Sequence, residues 1–281
     1  MRRGGVRAVV TLTALVLAAG SACGSDGPTK STEKKRAVTT TALEPFDSTA
    51  EGGYSADEPG VSAEGTTTLY VSITTETEVD EVERAMRVIG TRLRAFGAAP
   101  MAMERDGKQL VVSWDRGNVA DEVAAVVTSR GHFQFRPVLE VTPGACKIET
   151  PADQAAPEVE IRLSALEQPA HCHRLGPSEL SDPQVDEAIP RRPKLWQVDV
   201  KLGSTAAHQF EEMAAHHVGE KLAIVVDGIL QSASKVNAGE HGGVVVISGG
   251  FTEAAARHCA ALLDGGVHTV SLRADKLERR A

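Results

Sequence analysis

The chain has 281 residues, 42% of them hydrophobic but only 4% aromatic, so any core must be built from Val, Leu, Ile and Ala. Its formal net charge of −8 argues against nucleic acid as a partner, because phosphate binding needs a basic footprint. A chain of this length holds one or two compact domains once its ends are set aside.

Met1, Arg2, Arg3 and Arg7 form a basic start, and Ala8 to Ala19 form a short apolar run. That run falls short of the roughly 20 residues a membrane span needs and reads as an export signal. It ends in Gly20-Ser21-Ala22-Cys23, which resembles a bacterial lipobox, with Gly20 standing where Leu is usual. Residues 1–23 are therefore expected to be a lipoprotein signal peptide, with lipid carried on Cys23 and the mature chain on the extracytoplasmic face of the cell membrane. An ordinary secretory signal is the alternative. Residues 24–65 are rich in Ser, Thr, Gly, Glu, Asp and Pro without apolar periodicity, the composition of a disordered tether.

From 66 to 141 the periodicity changes. Leu69, Val71 and Ile73 alternate with polar residues as in a half-buried strand. Asp80 is placed to cap a helix with Val82, Met86, Ile89, Leu93 and Phe96 on one face. Arg84, Arg87, Arg92 and Arg94 lie on its other faces, read as a solvated surface, and Gly97 is placed to stop it. Two strands, 101–104 and 109–114, flank Asp106-Gly107. Asn118 is placed to begin a second helix carrying Val119, Val123, Val126 and Val127, and Phe133, Phe135 and Pro137 alternate in a last strand. The order strand, helix, strand, strand, helix, strand predicts a ferredoxin-like unit.

Residues 142–193 lose periodicity and are expected to be an irregular linker. In an exported chain, Cys146 and Cys172 flanking such a loop point to a disulfide. The competing reading, a metal site at His171-Cys172-His173, lacks the spacing that tetrahedral ligation needs, so no metal and no cofactor is expected. Cys259, on an apolar helix face, reads as a small buried thiol.

Residues 194–275 repeat the pattern. Trp196 to Leu202 alternate as a strand, and a helix from Thr205 buries Ala206, Phe210, Met213 and Ala214. Two apolar runs then meet at Asp227-Gly228, a dipeptide suited to a tight hairpin. A third run, Val244 to Ile247, follows the glycine-rich turn at Gly239, Gly242 and Gly243, and Thr252 caps a helix whose buried face includes Ala255, Cys259, Leu262 and Leu263. A final strand is expected at 267–272. The fold class predicted is α+β, with two ferredoxin-like units of antiparallel sheet and helices on one face. His216-His217 has no partner placed by sequence and sits at a helix end that favours a charged histidine, so no catalytic residue is assigned. Ser248-Gly249-Gly250 matches neither a nucleophile elbow nor a phosphate loop.

A series of segments, in order along the chain, resembles the SecD half of the bacterial SecDF protein-export complex, in its first extracytoplasmic domain. The base-like part is Val88-Ile-Gly-Thr-Arg-Leu-Arg-Ala-Phe-Gly through Gln109-Leu-Val-Val-Ser-Trp, with Gly131-His-Phe-Gln-Phe-Arg-Pro-Val. The head-like part is Trp196-Gln-Val-Asp-Val-Lys-Leu, Val225-Val-Asp-Gly-Ile-Leu-Gln-Ser-Ala, Ile247-Ser-Gly-Gly-Phe-Thr and Leu262-Leu-Asp-Gly-Gly. Ser234 stands where the family commonly has Pro. SecD continues into a transmembrane bundle, whereas this sequence ends soon after Leu272-Arg-Ala-Asp. The resemblance therefore implies a non-enzymatic accessory in protein export or extracytoplasmic folding. Its implied partners are unfolded or emerging exported polypeptide and Sec translocon components, with the lipid anchor holding it at the membrane. Asp227, Gly228, Ser232, Gly249, Gly250 and Phe251 are the candidate binding residues, against the alternative that all six are structural. A further alternative is an envelope-binding or structural lipoprotein that reuses the head fold without an export role.

Overall fold

Leu69, Val71 and Ile73 point inward from β2 (Thr66–Ile73) and meet Leu110, Val112 and Trp114 of β4 (Gln109–Trp114), all six buried. The structure is a computed structural model and describes residues 40–41, 65–98, 100–115, 120–146, 156–165, 168–237 and 242–280. The signal, Cys23, most of the tether, Asn118 and Gly239 lie outside these residues. The described residues belong to one compact unit, Val38–Ala281.

The first sheet runs β1-β14-β2-β4-β3, antiparallel throughout, with β1 at Thr40–Thr41, β3 at Ala102–Asp106 and β14 at Leu272–Arg280. Helices α1 (Val79–Phe96) and α2 (Ala120–Thr128) supply the apolar residues that cover one face: Val82, Ala85, Ile89 and Leu93 from α1, and Val123, Val126 and Val127 from α2. Gly97 ends α1 in the left-handed conformation, as expected (φ 90°). The helix begins one residue before Asp80, after Glu78, with no side-chain cap. Thr40–Thr41, inside the stretch expected to be a tether, pairs with β14.

Two expectations need correcting here. The strand at 133–137 does not close this sheet; β14 does, although the sequence pattern predicts a strand at 267–272 in the second unit. Burial gives the reason. Phe133, Phe135 and Arg136 are 2%, 1% and 0% exposed, so this segment needs cover on both faces. In β14, by contrast, Leu272, Ala274 and Leu277 stand opposite the inward residues of β2, and Arg273, Lys276 and Arg280 opposite its outward ones, which suits a sheet with one face in water. Arg92 is the second correction. It is wholly buried, not part of a solvated face.

Residues 142–193 are not irregular either. β5 extends over Phe133–Pro143 and is followed by β6 (Ile161–Ala165), β7 (Gln168–Leu175), β8 (Leu180–Ser181) and β9 (Val185–Arg191). With β11 (Lys221–Val226) and β12 (Ile229–Lys235), the ladder β11-β12-β6-β7-β5 closes on itself through a β11–β5 pairing. This ring surrounds a small cluster of Ile161, Leu163, Ala165, Leu175, Ala223, Val225 and Leu230. The other face of β11, Leu222, Ile224 and Val226, enters the larger core. That two-sided burial accounts for the unbroken apolar run in β11. Cys146 and Cys172 form a disulfide joining the segment after β5 to β7.

The third sheet is β13-β10-β9, with β10 at Trp196–Leu202 and β13 at Val244–Phe251. Its inner face, Val198, Val200, Val245 and Ile247, packs with Phe210 and Met213 of α3 (Ser204–His216) and with Ala255, Cys259, Leu262 and Leu263 of α4 (Glu253–Gly265). Thr252 caps α4 by accepting from the Ala255 amide at 3.1 Å. The predicted second repeat is therefore divided between two sheets, β10 in one and β11 with β12 in the other.

Arg92 joins these parts. It donates to the carbonyls of Ser129 (2.5 Å) and Arg130 (2.6 Å) after α2, and to the carbonyl of Gly266 after α4. Arg92→Leu removes the donor and leaves three buried acceptors; it is expected to lower stability by about 3 kcal/mol or more, read from urea denaturation. The disulfide closes a sequence separation of 26. Replacing both Cys146 and Cys172 by Ser is expected to cost about 3 kcal/mol by the chain-entropy relation, and reductant should then leave the variant's denaturation midpoint unchanged.

Candidate functional site

The six candidate residues fall into two places. Asp227 and Gly228 form the turn between β11 and β12, both with positive φ (45° and 77°), the geometry of a type I′ hairpin. The Asp227 carboxylate accepts from the backbone amides of Gly131 (2.9 Å) and His132 (2.8 Å), and the Asp227 amide donates back to the His132 carbonyl at 2.9 Å. Asp182, which the sequence pattern does not single out, also has positive φ (49°). It accepts from the Phe133 amide at 2.9 Å and lies 3.0 Å from His132 Nδ1. Two carboxylates thus hold the start of β5.

Gly131 sits where φ is +82° and an added Cβ would lie 2.1 Å from Arg92 Nη2 and 3.0 Å from the Gly266 carbonyl. Gly265 is equally crowded, with Arg92 Cγ at 2.2 Å from the position of a Cβ. Burial lowers the Arg92 guanidinium to about 10, partly offset by the charge of Asp227. His268 is also buried nearby, and His258 is half-buried. Burial first, and the Arg92 charge second, lower both to about 4.

Ser232, Gly249, Gly250 and Phe251 lie where β12 crosses β13. Ser232 is buried, with its Oγ 3.0 Å from that of Ser234. A Cβ on Gly249 would lie 2.0 Å from the Gln231 carbonyl, so only glycine lets the two strands approach. Gly250 has φ +65°, and Phe251 belongs to the core. The structure brings these four together but sets Asp227 and Gly228 apart from them, and it uses their side chains or conformations within the fold.

What faces outward here is the remainder of β13. Val244 and Val246 are 45% and 48% exposed on the outer face of the third sheet, beside Lys201 and Asp199 of β10. The next row continues through Ile189 and Glu187 of β9, and Arg191 pairs with Asp199 at 2.9 Å. Among the described residues β13 pairs with β10 alone, so its other edge is open along Val244–Ile247. The run Val-Val-Val-Ile carries no sign of this half-exposure, because a strand buried on both faces has the same composition. The only available signal is that it is a surplus strand in the repeat.

The histidine-rich segments resolve differently. His217, at the end of α3, has Nδ1 2.7 Å from Glu220 and Nε2 2.9 Å from Glu179, two carboxylate partners that sequence alone did not place. Burial opposes protonation of His217, but these two carboxylates outweigh it and raise its pKa. His132 is raised mainly by its bond to Asp182. Cys172 is in the disulfide, and His173, 2% exposed, is lowered by burial. Burial pushes the Cys259 thiol up to about 12, which leaves it unreactive. Among the described residues no group of three or more His, Cys, Asp and Glu side chains could share a metal ion, and no helix is long and apolar enough to cross a membrane.

Comparison with known proteins falls on this region. Residues 174–270 match the family model described as SecDF, P1 head subdomain. The match starts before the expected boundary at 194 and so takes in β8 and β9. The protein translocase subunit SecDF of Thermus thermophilus is 29% identical over 203 residues, 69% of this chain and 27% of that protein. The protein translocase subunit SecD of Magnetococcus marinus is 25% identical over 191 residues, 66% of this chain and 36% of that protein. A SecDF crystal structure in a super-membrane-facing form aligns with TM-score 0.58 and 23% identity over 80% of this chain and 32% of that one. A second structure, of SecDF described as a membrane component that enhances protein export, aligns with TM-score 0.54 and 23% identity over 74% of this chain and 97% of that one. The structural likeness is one of fold. This chain is thus similar to SecD in its P1 region, and it spans about a quarter to a third of the length of these curated relatives.

The histidines set opposite pH limbs. His132 and His217 are raised, so their contribution is present below the ordinary value of 6.5 and is lost as pH rises through their folded pKa. His258 and His268 are lowered to about 4, so the unfolded chain binds more protons between 6.5 and 4, and stability is lost as pH falls through that window. Urea midpoints measured across pH should show His217→Gln flattening the alkaline limb and His268→Leu flattening the acid limb. An unchanged acid slope in His268→Leu would remove that histidine from the account.

Proposed function

We propose that this chain is a non-enzymatic accessory of protein export that binds unfolded polypeptide at the open edge of β13. The observation that carries this reading is that the region matched to the SecDF P1 head contains β13, an uncharged edge strand that among the described residues pairs on one side only and has two exposed valines. An extended segment can add to such an edge by main-chain hydrogen bonds, which are indifferent to sequence, while Val244 and Val246 offer apolar contact to alternate side chains. Emerging polypeptide has both requirements, free backbone groups and exposed apolar residues.

The first sheet, with α1 and α2 on one face and β14 as its closing strand, supports reading the base as ferredoxin-like. Lipid carried on Cys23 would hold the unit at the extracytoplasmic face of the membrane, within reach of translocon components. Catalysis has no part in this proposal.

A photocrosslinking residue placed at Val246 in cells should trap exported polypeptides or Sec components, and the same residue at exposed Arg279 should not. Val246→Lys puts a charge on the edge and should reduce trapping from a probe at Val244 several-fold without changing the melting temperature. Recovery of only envelope structural components from the Val246 probe would replace the export reading with the envelope-binding one.

A further inference from the structure

A second open edge lies on the first sheet. Among the described residues β3 pairs with β4 alone, and between that edge and α1 runs a cleft of about 590 Å³. Met86 and Met103 form its apolar sides, Pro100 closes one end, Gly90 is the floor, and Arg87 and Arg94 flank it. We propose that this cleft receives an extended peptide segment of a partner protein, added to β3, with an apolar side chain over Gly90 and carboxylates reaching Arg87 and Arg94.

Three observations lead there. Gly90 lies inside a helix, where glycine is a poor choice and alanine the best. An added Cβ would meet only Arg94 Nη1 at 3.5 Å and Met103 Cε at 3.9 Å, ordinary contacts, so packing does not demand the glycine. Unlike Gly131 and Gly265, it serves to keep the cleft floor at the level of the backbone. The arginines are the second observation. Among the described residues Arg87 and Arg94 have no carboxylate within ion-pair distance, a state they share with surface arginines such as Arg84 and Arg279, but these two line one cleft together. Arg94 donates only to Thr91 Oγ1, at 3.3 Å. Third, Met103 stands opposite buried Val112 and so faces the helix side of the sheet. A strand added beyond β3 would direct its alternate side chains into the same space.

Spacing sets the sequence that fits. Arg87 and Arg94 are about 10 Å apart along the helix axis, and the first and fifth residues of a strand, which share a face, are about 14 Å apart. With flexible arginine arms, the match is acidic, any, apolar, any, acidic. Glu83, at the cleft's N-terminal end, disfavours a further acidic residue beyond Arg87. The charge complementarity and the open backbone edge together favour a peptide over a lipid surface, which offers charge but no strand.

The probe is a labelled, capped nonapeptide centred on Glu-Thr-Leu-Thr-Glu, titrated by fluorescence anisotropy with the full chain. Binding should weaken at least tenfold in Arg87→Glu/Arg94→Glu and in Gly90→Leu, and should be absent for peptides with Lys for Glu or Ser for Leu. Gly90→Ala should raise the melting temperature while weakening binding, a combination a purely structural glycine does not give. Val246→Lys should leave this binding unchanged, which separates this site from the β13 edge. The exposed arginine pair keeps the test valid if Gly90→Leu fails to fold. No binding of the acidic peptide, or binding indifferent to the arginine pair, overturns the proposal. So does arginine-dependent binding of phosphatidylglycerol vesicles without peptide binding, which would make this face a membrane contact.

Discussion

A guanidinium with no access to water organises this fold. Arg92 is wholly buried, and removing such a charge from water is costly unless its hydrogen bonds are supplied from within. The carbonyls of Ser129, Arg130 and Gly266 supply them, and they come from the ends of α2 and α4. Helix α1 is thereby fixed to the ends of α2 and α4. The arrangement leaves no room for side chains at Gly131 and Gly265, so two glycines far apart in sequence answer to one arginine. It also sets the state of its neighbours. Beside a fixed positive charge, His258 and His268 are held well below the ordinary histidine value, while the negative charge of Asp227 partly offsets the burial of the guanidinium.

The junction continues through Asp227. Its carboxylate takes two amides at the start of β5, next to the glycine that Arg92 crowds, and Asp182 takes the third. Both aspartates adopt a left-handed backbone, a conformation that Asn, Asp and Gly tolerate best. The Asp-Gly hairpin is therefore more than a reversal between β11 and β12. It holds β5 in the position from which Phe133 and Phe135 reach the large core, where Phe135 meets Phe210 at a centroid distance of 5.2 Å.

Much of this was open to sequence reading, and the exceptions share a cause. The alternation in β2, β4 and β10, the cap at Thr252 and the turn at Asp227-Gly228 are local signals, and each element lies where those signals put it. The pairing of strands is not local. β14 was invisible as the closing strand of the first sheet because its partner, β2, lies some two hundred residues earlier, while β5 offered a nearer candidate with good alternation. β6 and β7 escaped because the ring they complete is small. In β7 the residue opposite Leu163 is His173, which is buried, so the apolar period is diluted there. Arg92 escaped for the opposite reason, since an arginine among arginines reads as surface. Of the candidate binding residues on β13, Gly249 and Phe251 hold the strand in place, whereas Val244 and Val246 of the same strand meet solvent.

The two open edges are not equivalent, and the difference lies in how natural sheets protect themselves. Unpaired edges invite other chains, and proteins usually blunt them with charge, brevity or proline. β3 is blunted in this way: it is five residues long, follows Pro100 and carries Glu104, Arg105 and Asp106. A partner there must be chosen by side chains, because the backbone edge is short and its surroundings are charged. β13 has eight residues, none charged, and includes the consecutive run Val244 to Ile247. Its one internal restraint is the crossing with β12 at Gly249, which covers the far end and leaves the valine run clear. A strand so unprotected would be an aggregation hazard in a chain with no use for it. Among the described residues nothing blunts the valine run of β13, and this contrast with β3 supports the proposal that extended polypeptide meets this edge.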